Sequence, residues 1–182
     1  MPDLICFGEP LYELAHVTRG GEVLYLPGYG GDTSNCAIAA VRQGASAGYF
    51  SAVGNDSFGD AFMALWRREG VDISGVTIHP DAPTGMYLIT YENGEHRFTF
   101  RRRGSAASLV SPADIDPAYI GSAKILHISG ISQAISGSAC DAAFAAIETA
   151  RQKGVRVSYD SNLRLSLWPL ARARAIIHAA RF

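Results

Sequence analysis

Apolar positions along the chain fall into strand-length runs separated by stretches in which they recur at helical spacing. Leu4-Ile5-Cys6-Phe7 is continuous and stops at Gly8, the pattern of a strand buried on both faces of a parallel sheet. Ala47 to Val53, Ile125 to Ile128 and Val155 to Tyr159 repeat it. Between them, Thr33 to Gln43 reads as a helix of small residues stopped by Gly44. Phe62, Leu65 and Trp66 share one face of a second helix that ends at Gly70, and Cys140, Phe144, Ile147 and Ala150 mark a third that ends at Gly154. Ser57-Phe58-Gly59-Asp60 and Ser111-Pro112-Ala113-Asp114 have capping-box spacing, and each predicts a helix start. Two hairpins stand apart: Tyr12 to His16 with Glu22 to Leu26, and Thr84 to Tyr91 with His96 to Arg101 around Asn93-Gly94. Leu170 to Phe182 reads as an amphipathic helix carrying Ile176 and Ile177. The alternation predicts an α/β domain with a mostly parallel sheet.

Composition narrows the function. The 182 residues are 48% hydrophobic and 18% charged, enough for a substantial core. A net charge of -1, with Arg101-Arg102-Arg103 as the one dense cationic run, argues against nucleic acid as a partner. The apolar runs are far shorter than the roughly 20 residues of a membrane helix, and Met1-Pro2-Asp3-Leu4 shows no secretory signal, so a cytoplasmic protein is expected. Cys6, Cys36 and Cys140 lie in apolar segments and read as buried, reduced thiols. The five histidines lack ligand spacing, and no metal site is expected.

The chemistry concentrates between Gly28 and Asp60. Gly28, Gly30 and Gly31 leave the backbone free to bend and approach a ligand, and Asp32-Thr33-Ser34-Asn35 opens a helix beside them. No Lys-Ser or Lys-Thr pair follows Gly31, which excludes a P-loop. Gly28-Tyr29-Gly30 begins like a dinucleotide fingerprint, but Thr33 occupies the place of its third glycine. Glu9 and Asp160 each stand at the end of a strand, where open α/β sheets bind ligands; Glu9 faces either a ligand or water.

Gly30-Gly31-Asp32-Thr33-Ser34-Asn35-Cys36-Ala37, followed by Gly44 and Gly54, resembles the first signature of the ribokinase-like (PfkB-type) carbohydrate kinases. Thr33 departs from the small residue common there, and Gly-Gly-Asp-Thr is typical of the 2-keto-3-deoxygluconate kinase branch. Thr84-Gly85-Met86-Tyr87, Phe100 to Ala107, and Asp160-Ser161-Asn162-Leu163-Arg164 with Leu167-Trp168 resemble the same branch. The resemblance implies a ribokinase-like α/β fold in which residues 1–182 form the N-terminal part of one domain, with a small β lid from about 12–27 and 84–101. It assigns substrate contacts to Gly30, Gly31, Asp32, Asn35, Tyr87, Phe100, Arg102 and Arg164, the last also a candidate for phosphate. Arg102 is the candidate for a sugar carboxylate, which a guanidinium holds through two hydrogen bonds. Phe100 stands where related kinases often have Tyr.

The implied reaction is ATP-dependent phosphorylation of a sugar acid on its terminal hydroxyl, with Mg²⁺ on the nucleotide. In such kinases the base is an Asp in a Gly-Ala-Gly-Asp motif that lies later in the chain, in the region that also binds ATP. No such motif occurs in these residues, so no catalytic residue is assigned here and the chain alone is expected to be inactive. The resemblance also implies a homo-oligomer formed through the lid. Two alternatives stay open: a kinase for a neutral sugar such as fructose, and a non-catalytic sugar-binding fragment.

Overall fold

A computed structural model describes residues 2–180. Nine strands form two sheets: β1 (Leu4–Phe7), β2 (Leu11–Arg19), β3 (Glu22–Gly30), β4 (Ala47–Gly54), β5 (Asp72–His79), β6 (Met86–Glu92), β7 (Glu95–Arg101), β8 (Ile125–Ser129) and β9 (Arg156–Asp160). The helices are α1 (Asp32–Arg42), α2 (Ser57–Glu69), α3 (Ala106–Leu109), α4 (Pro117–Gly121), α5 (Gly130–Ala134), α6 (Gly137–Gln152) and α7 (Leu170–Ala179). No helix among the described residues is long and apolar enough to cross a membrane.

The main sheet has the order β5-β4-β1-β8-β9 and is parallel throughout. Alternation along its strands feeds two cores. Ile5 and Phe7 point to one side, where they meet Phe50, Leu126, Ile128 and the alanines Ala142, Ala143 and Ala146 of α6. Cys6 points to the other, among Tyr49, Val53, Ala37 of α1, and Phe62 and Trp66 of α2. Within the second core the Trp66 indole N–H donates to Ser34 Oγ at 2.9 Å, so the buried ring has no orphaned donor.

The second sheet has the order β3-β2-β6-β7, two antiparallel hairpins joined by the parallel pair β2 and β6. It is held to α2 by aromatic rings: Tyr12 lies 4.6 Å from Phe58 and Tyr29 lies 5.3 Å from Phe62, centroid to centroid. Its strands reach beyond the anticipated segments, from Leu11 and as far as Gly30.

Several local expectations change. The start of α2 is capped by Asp56, whose Oδ1 accepts from the backbone N–H groups of Phe58 and Gly59, so the anticipated Ser57 box is displaced by one residue. Ser111 and Asp114 do hydrogen-bond each other, but they close a three-residue 3-10 turn, and the helix begins only at Pro117. Cys36 is half-buried where a buried thiol was expected; the three cysteines are free. Ile176 and Ile177 in α7 are half-buried, and the Phe182 end of that anticipated helix lies outside the described residues.

Candidate functional site

The C-terminal ends of β1 and β8, the N-terminus of α1 and the inner face of the second sheet converge on one cleft. A cavity of about 210 Å³ is lined by Glu9, Leu11, Gly31, Asp32, Tyr87, Phe98, Phe100, Arg102 and Ile131. That is a small, partly open site, suited to one compact polar molecule.

Each wall has a local cause. Gly31 has φ 107°, and a Cβ there would lie 2.5 Å from the Glu9 carbonyl oxygen, so the turn into α1 requires glycine. Gly30 serves a different purpose: a Cβ would meet the Tyr87 ring and hydroxyl at 2.7 Å. Gly28, two residues earlier on the same face, likewise clears space for Glu13. The two glycines make room for a pair, since the Tyr87 hydroxyl donates to a Glu13 carboxylate oxygen. Burial first, and that hydrogen bond second, push the Tyr87 phenol well above its ordinary pKa, so it stays protonated.

Of the three consecutive arginines only the middle one turns inward. Arg101 and Arg103 are exposed, whereas the Arg102 side chain is 14% exposed and its guanidinium pairs with Glu9. Its Cζ also sits 5.0 Å from the centroid of the Phe100 ring, a cation–π contact. Phe100 therefore acts here as an apolar platform for Arg102, and Tyr87 packs beside it at 5.6 Å. Glu9 is buried, and desolvation raises its pKa against the opposing pull of Arg102.

Asp32 begins α1. Its Oδ1 accepts from the Thr33 N–H at 2.8 Å, and its Oδ2 accepts from Asn162 Nδ2 at 2.7 Å. The structure thus brings Gly30, Gly31, Asp32, Tyr87, Phe100 and Arg102 together. Asn35 is exposed one turn into α1, and Arg164 is exposed on the loop after β9, where its guanidinium donates to the Leu163 carbonyl at 3.2 Å; neither lines the cavity. Residues not anticipated at the site are Glu13, Asn162, Leu11, Phe98 and Ile131. The spacing of Gly28 and Gly30 was a signal for bulky partners across the sheet, and Asn162 stood in the 160–164 segment that resembles the kinase branch without a role of its own, whereas nothing in the sequence marked Leu11, Phe98 or Ile131. Among the described residues no three histidine, cysteine or carboxylate groups gather in a way that holds a metal ion.

Comparison with known proteins gives this geometry a lineage. The chain is 39% identical to a 2-dehydro-3-deoxygluconokinase of Thermoproteus tenax over 97% of its own length and 55% of that protein's. It is 34% identical to fructokinase-2 of Solanum lycopersicum, covering 92% of this chain and 52% of the relative. The crystal structure of a PfkB protein from Polaromonas sp. JS666 superimposes with a TM-score of 0.92 at 32% identity, over 99% of this chain and 63% of that one. The chain spans about half the length of the curated relatives it matches. The description "pfkB family carbohydrate kinase" matches residues 1–181, and with the parallel sheet and its four-stranded second sheet this chain belongs to the pfkB family of carbohydrate kinases, with a ribokinase-like fold.

Proposed function

We propose that the full protein transfers a phosphoryl group from ATP to the terminal hydroxyl of 2-keto-3-deoxygluconate, and that this chain supplies the sugar-binding half. The observation that carries the reading is Arg102, a guanidinium on the cavity wall beside the protonated Tyr87, in a chain 39% identical to a kinase named for that sugar acid. A planar guanidinium with donors left over from its Glu9 pair suits a carboxylate. Asp32 supplies acceptors for sugar hydroxyls, and Gly31 lets the backbone come close. Leu11, Phe98, Phe100 and Ile131 exclude water that competes for the phosphoryl group.

Positioning is thus the contribution of these residues. ATP and Mg²⁺ supply the phosphoryl group and its charge neutralisation; among the described residues no cluster of histidine, cysteine or carboxylate groups holds a metal, and we assign the base and most of the nucleotide and metal contacts to a part of the protein outside this chain, with Arg164 as the candidate phosphate contact within it. On this reading the 182 residues alone are inactive. The protein works in the cytoplasm, consistent with three free cysteines, and associates through the four-stranded lid sheet.

ADP release with ATP and Mg²⁺, comparing 2-keto-3-deoxygluconate, fructose and ribose, tests the substrate. Turnover confined to the sugar acid is expected. Arg102→Ala should raise the KM for the sugar acid by roughly 10- to 100-fold, the equivalent of a lost charge-assisted hydrogen bond, and change any neutral-sugar KM far less. Because Arg102→Ala leaves Glu9 buried alone, the double variant with Glu9→Gln serves as the folding control. Equal losses on acid and neutral sugars reject the carboxylate role.

A second reading is a kinase for a neutral sugar such as fructose. It is favoured by the Glu9 pair, which already compensates the Arg102 charge, and by 34% identity to a fructokinase. Preferential turnover of fructose would select it.

A further inference from the structure

Asn162 and Asn93 are the two non-glycine residues with positive φ among the described residues. Asn93 sits in the Asn93-Gly94 hairpin turn, where a left-handed conformation is the ordinary solution. Asn162, at φ 31°, has no hairpin to account for it. Its N–H donates to Asp160 Oδ1 at 3.0 Å, a local turn that sets its backbone, and its side-chain Nδ2 donates to Asp32 Oδ2 at 2.7 Å, across 130 residues of sequence. Backbone strain of this kind persists where the surroundings over-determine it, and it gathers at ligand clamps.

We infer that Asn162 is a positioning residue for the sugar site: it fixes the Asp32 carboxylate at the cavity wall and ties the segment that carries Arg164 to α1. The inference rests on the sugar-binding reading of the cavity. Among the described residues no other side-chain hydrogen bond joins residues 160–164 to α1. An amide is the suitable donor, because it orients Asp32 without neutralising it. A lysine or arginine at that point would compensate the charge that makes Asp32 a strong acceptor for hydroxyl protons. The Thr33 N–H holds the other carboxylate oxygen, so the two bonds together fix the rotamer. The tie also sets the distance between the Asp32 side of the cavity and the loop bearing Arg164.

Two measurements on the full-length protein test this. Hydrogen exchange compares Asn162→Ala with wild type without any ligand. Exchange should quicken by about fivefold or more in both residues 31–36 and residues 160–168, with the rest of the molecule unchanged. Acceleration confined to residues 160–168 overturns the tie. Asn162→Gly relieves the backbone but also lacks the amide, so it should behave like the alanine variant; wild-type exchange in the glycine variant overturns the inference. Kinetically, Asn162→Ala should raise the KM of whichever sugar turns over best by about tenfold, with the KM for ATP within about twofold. An unchanged sugar KM overturns the positioning role. If wild-type protein uses none of the sugars, the kinase reading falls, and the exchange measurement still decides whether Asn162 holds Asp32.

Discussion

Asp56 is held by donors from two distant parts of the chain. Its Oδ1 accepts from Phe58 N at 3.1 Å, Gly59 N at 2.8 Å and Thr84 Oγ1 at 2.8 Å, and its Oδ2 accepts from Thr84 N at 2.8 Å. Thr84 Oγ1 accepts in turn from Gly54 N at 2.9 Å. One carboxylate therefore caps α2 and fastens the end of β4 to the approach into the lid. Desolvation opposes ionisation, but the four donors together hold the carboxyl below its ordinary range. A depressed folded pKa stabilises above the unfolded value of 3.8, and that contribution is lost as pH falls through the folded value. Asp56→Ala should cost about 1–2 kcal/mol at pH 7, the usual worth of an N-cap, in urea unfolding. The gap from wild type should shrink below about pH 4; an equal gap at pH 3 would show that the ionised form is not what matters. Gly30→Ala tests the opposite kind of residue, one needed for space. Its Cβ displaces the Tyr87 ring, so sugar KM should rise several-fold in steady-state kinetics while α2 stability is unchanged. Arg102 and Tyr87 were legible because they stand in segments that resemble a kinase branch. Glu9 was visible only as a carboxylate at a strand end, and Asn162 as a site residue not at all, since a hydrogen bond across 130 residues leaves no periodic trace.

At the scale of elements, legibility followed the hydrophobic period. β1, β4, β8 and β9 carry apolar runs and were readable, whereas β5, Asp72 to His79, was passed over because polar residues and Gly75 interrupt it at the sheet edge. Tyr119 explains that edge. Its ring packs where Cβ atoms on Gly75 and Gly48 would lie, 2.3 and 2.4 Å away. The helices α3 and α5 are a single turn each, too short to show a period. The capping shift at α2 has a similar cause: Asp56 and Ser57 are both good caps, and the contact with Thr84, invisible locally, selects Asp56. The β6–β7 hairpin was the clearest element, because Asn93 and Gly94 both have positive φ, at 53° and 81°, as its two-residue turn demands. Gly94→Val, which forces a branched side chain into that conformation, should destabilise the hairpin by about 1–2 kcal/mol. Hydrogen exchange should then quicken in residues 86–101 and leave β1, β4 and β8 unchanged. A global loss of protection instead would mean that the lid and the main sheet unfold as one unit.

For the whole molecule, the decisive asymmetry lies between a sealed main sheet and an open lid. The inner strands β1, β4 and β8 of the main sheet carry buried apolar residues under helices on both faces, while the lid leaves Val23 59%, Tyr91 52% and Phe98 53% exposed. Register places Leu26, Ala15, Ile89 and Phe98 in one row across all four lid strands, and the next row holds Gly28, Glu13, Tyr87 and Phe100 of the cavity. The exposed apolar face is thus continuous with the cavity wall. A second copy seated there buries Leu24, Leu26 and Phe98 and closes the outer wall of the cavity in one step, which is the physical case for the proposed association through the lid. Leu24→Glu places a charge on this face, beyond the cavity lining, and Val23→Glu places the same charge on the opposite face of the same strand. Sedimentation equilibrium should show the first variant dissociating at concentrations where wild type and the second remain associated. The sugar KM of the first should rise with dissociation, because its cavity loses the covering copy. If both variants dissociate alike, the contact uses the edge of the lid or both of its faces; if neither does, the lid is not the interface, and the apolar row serves closure over the sugar within one subunit.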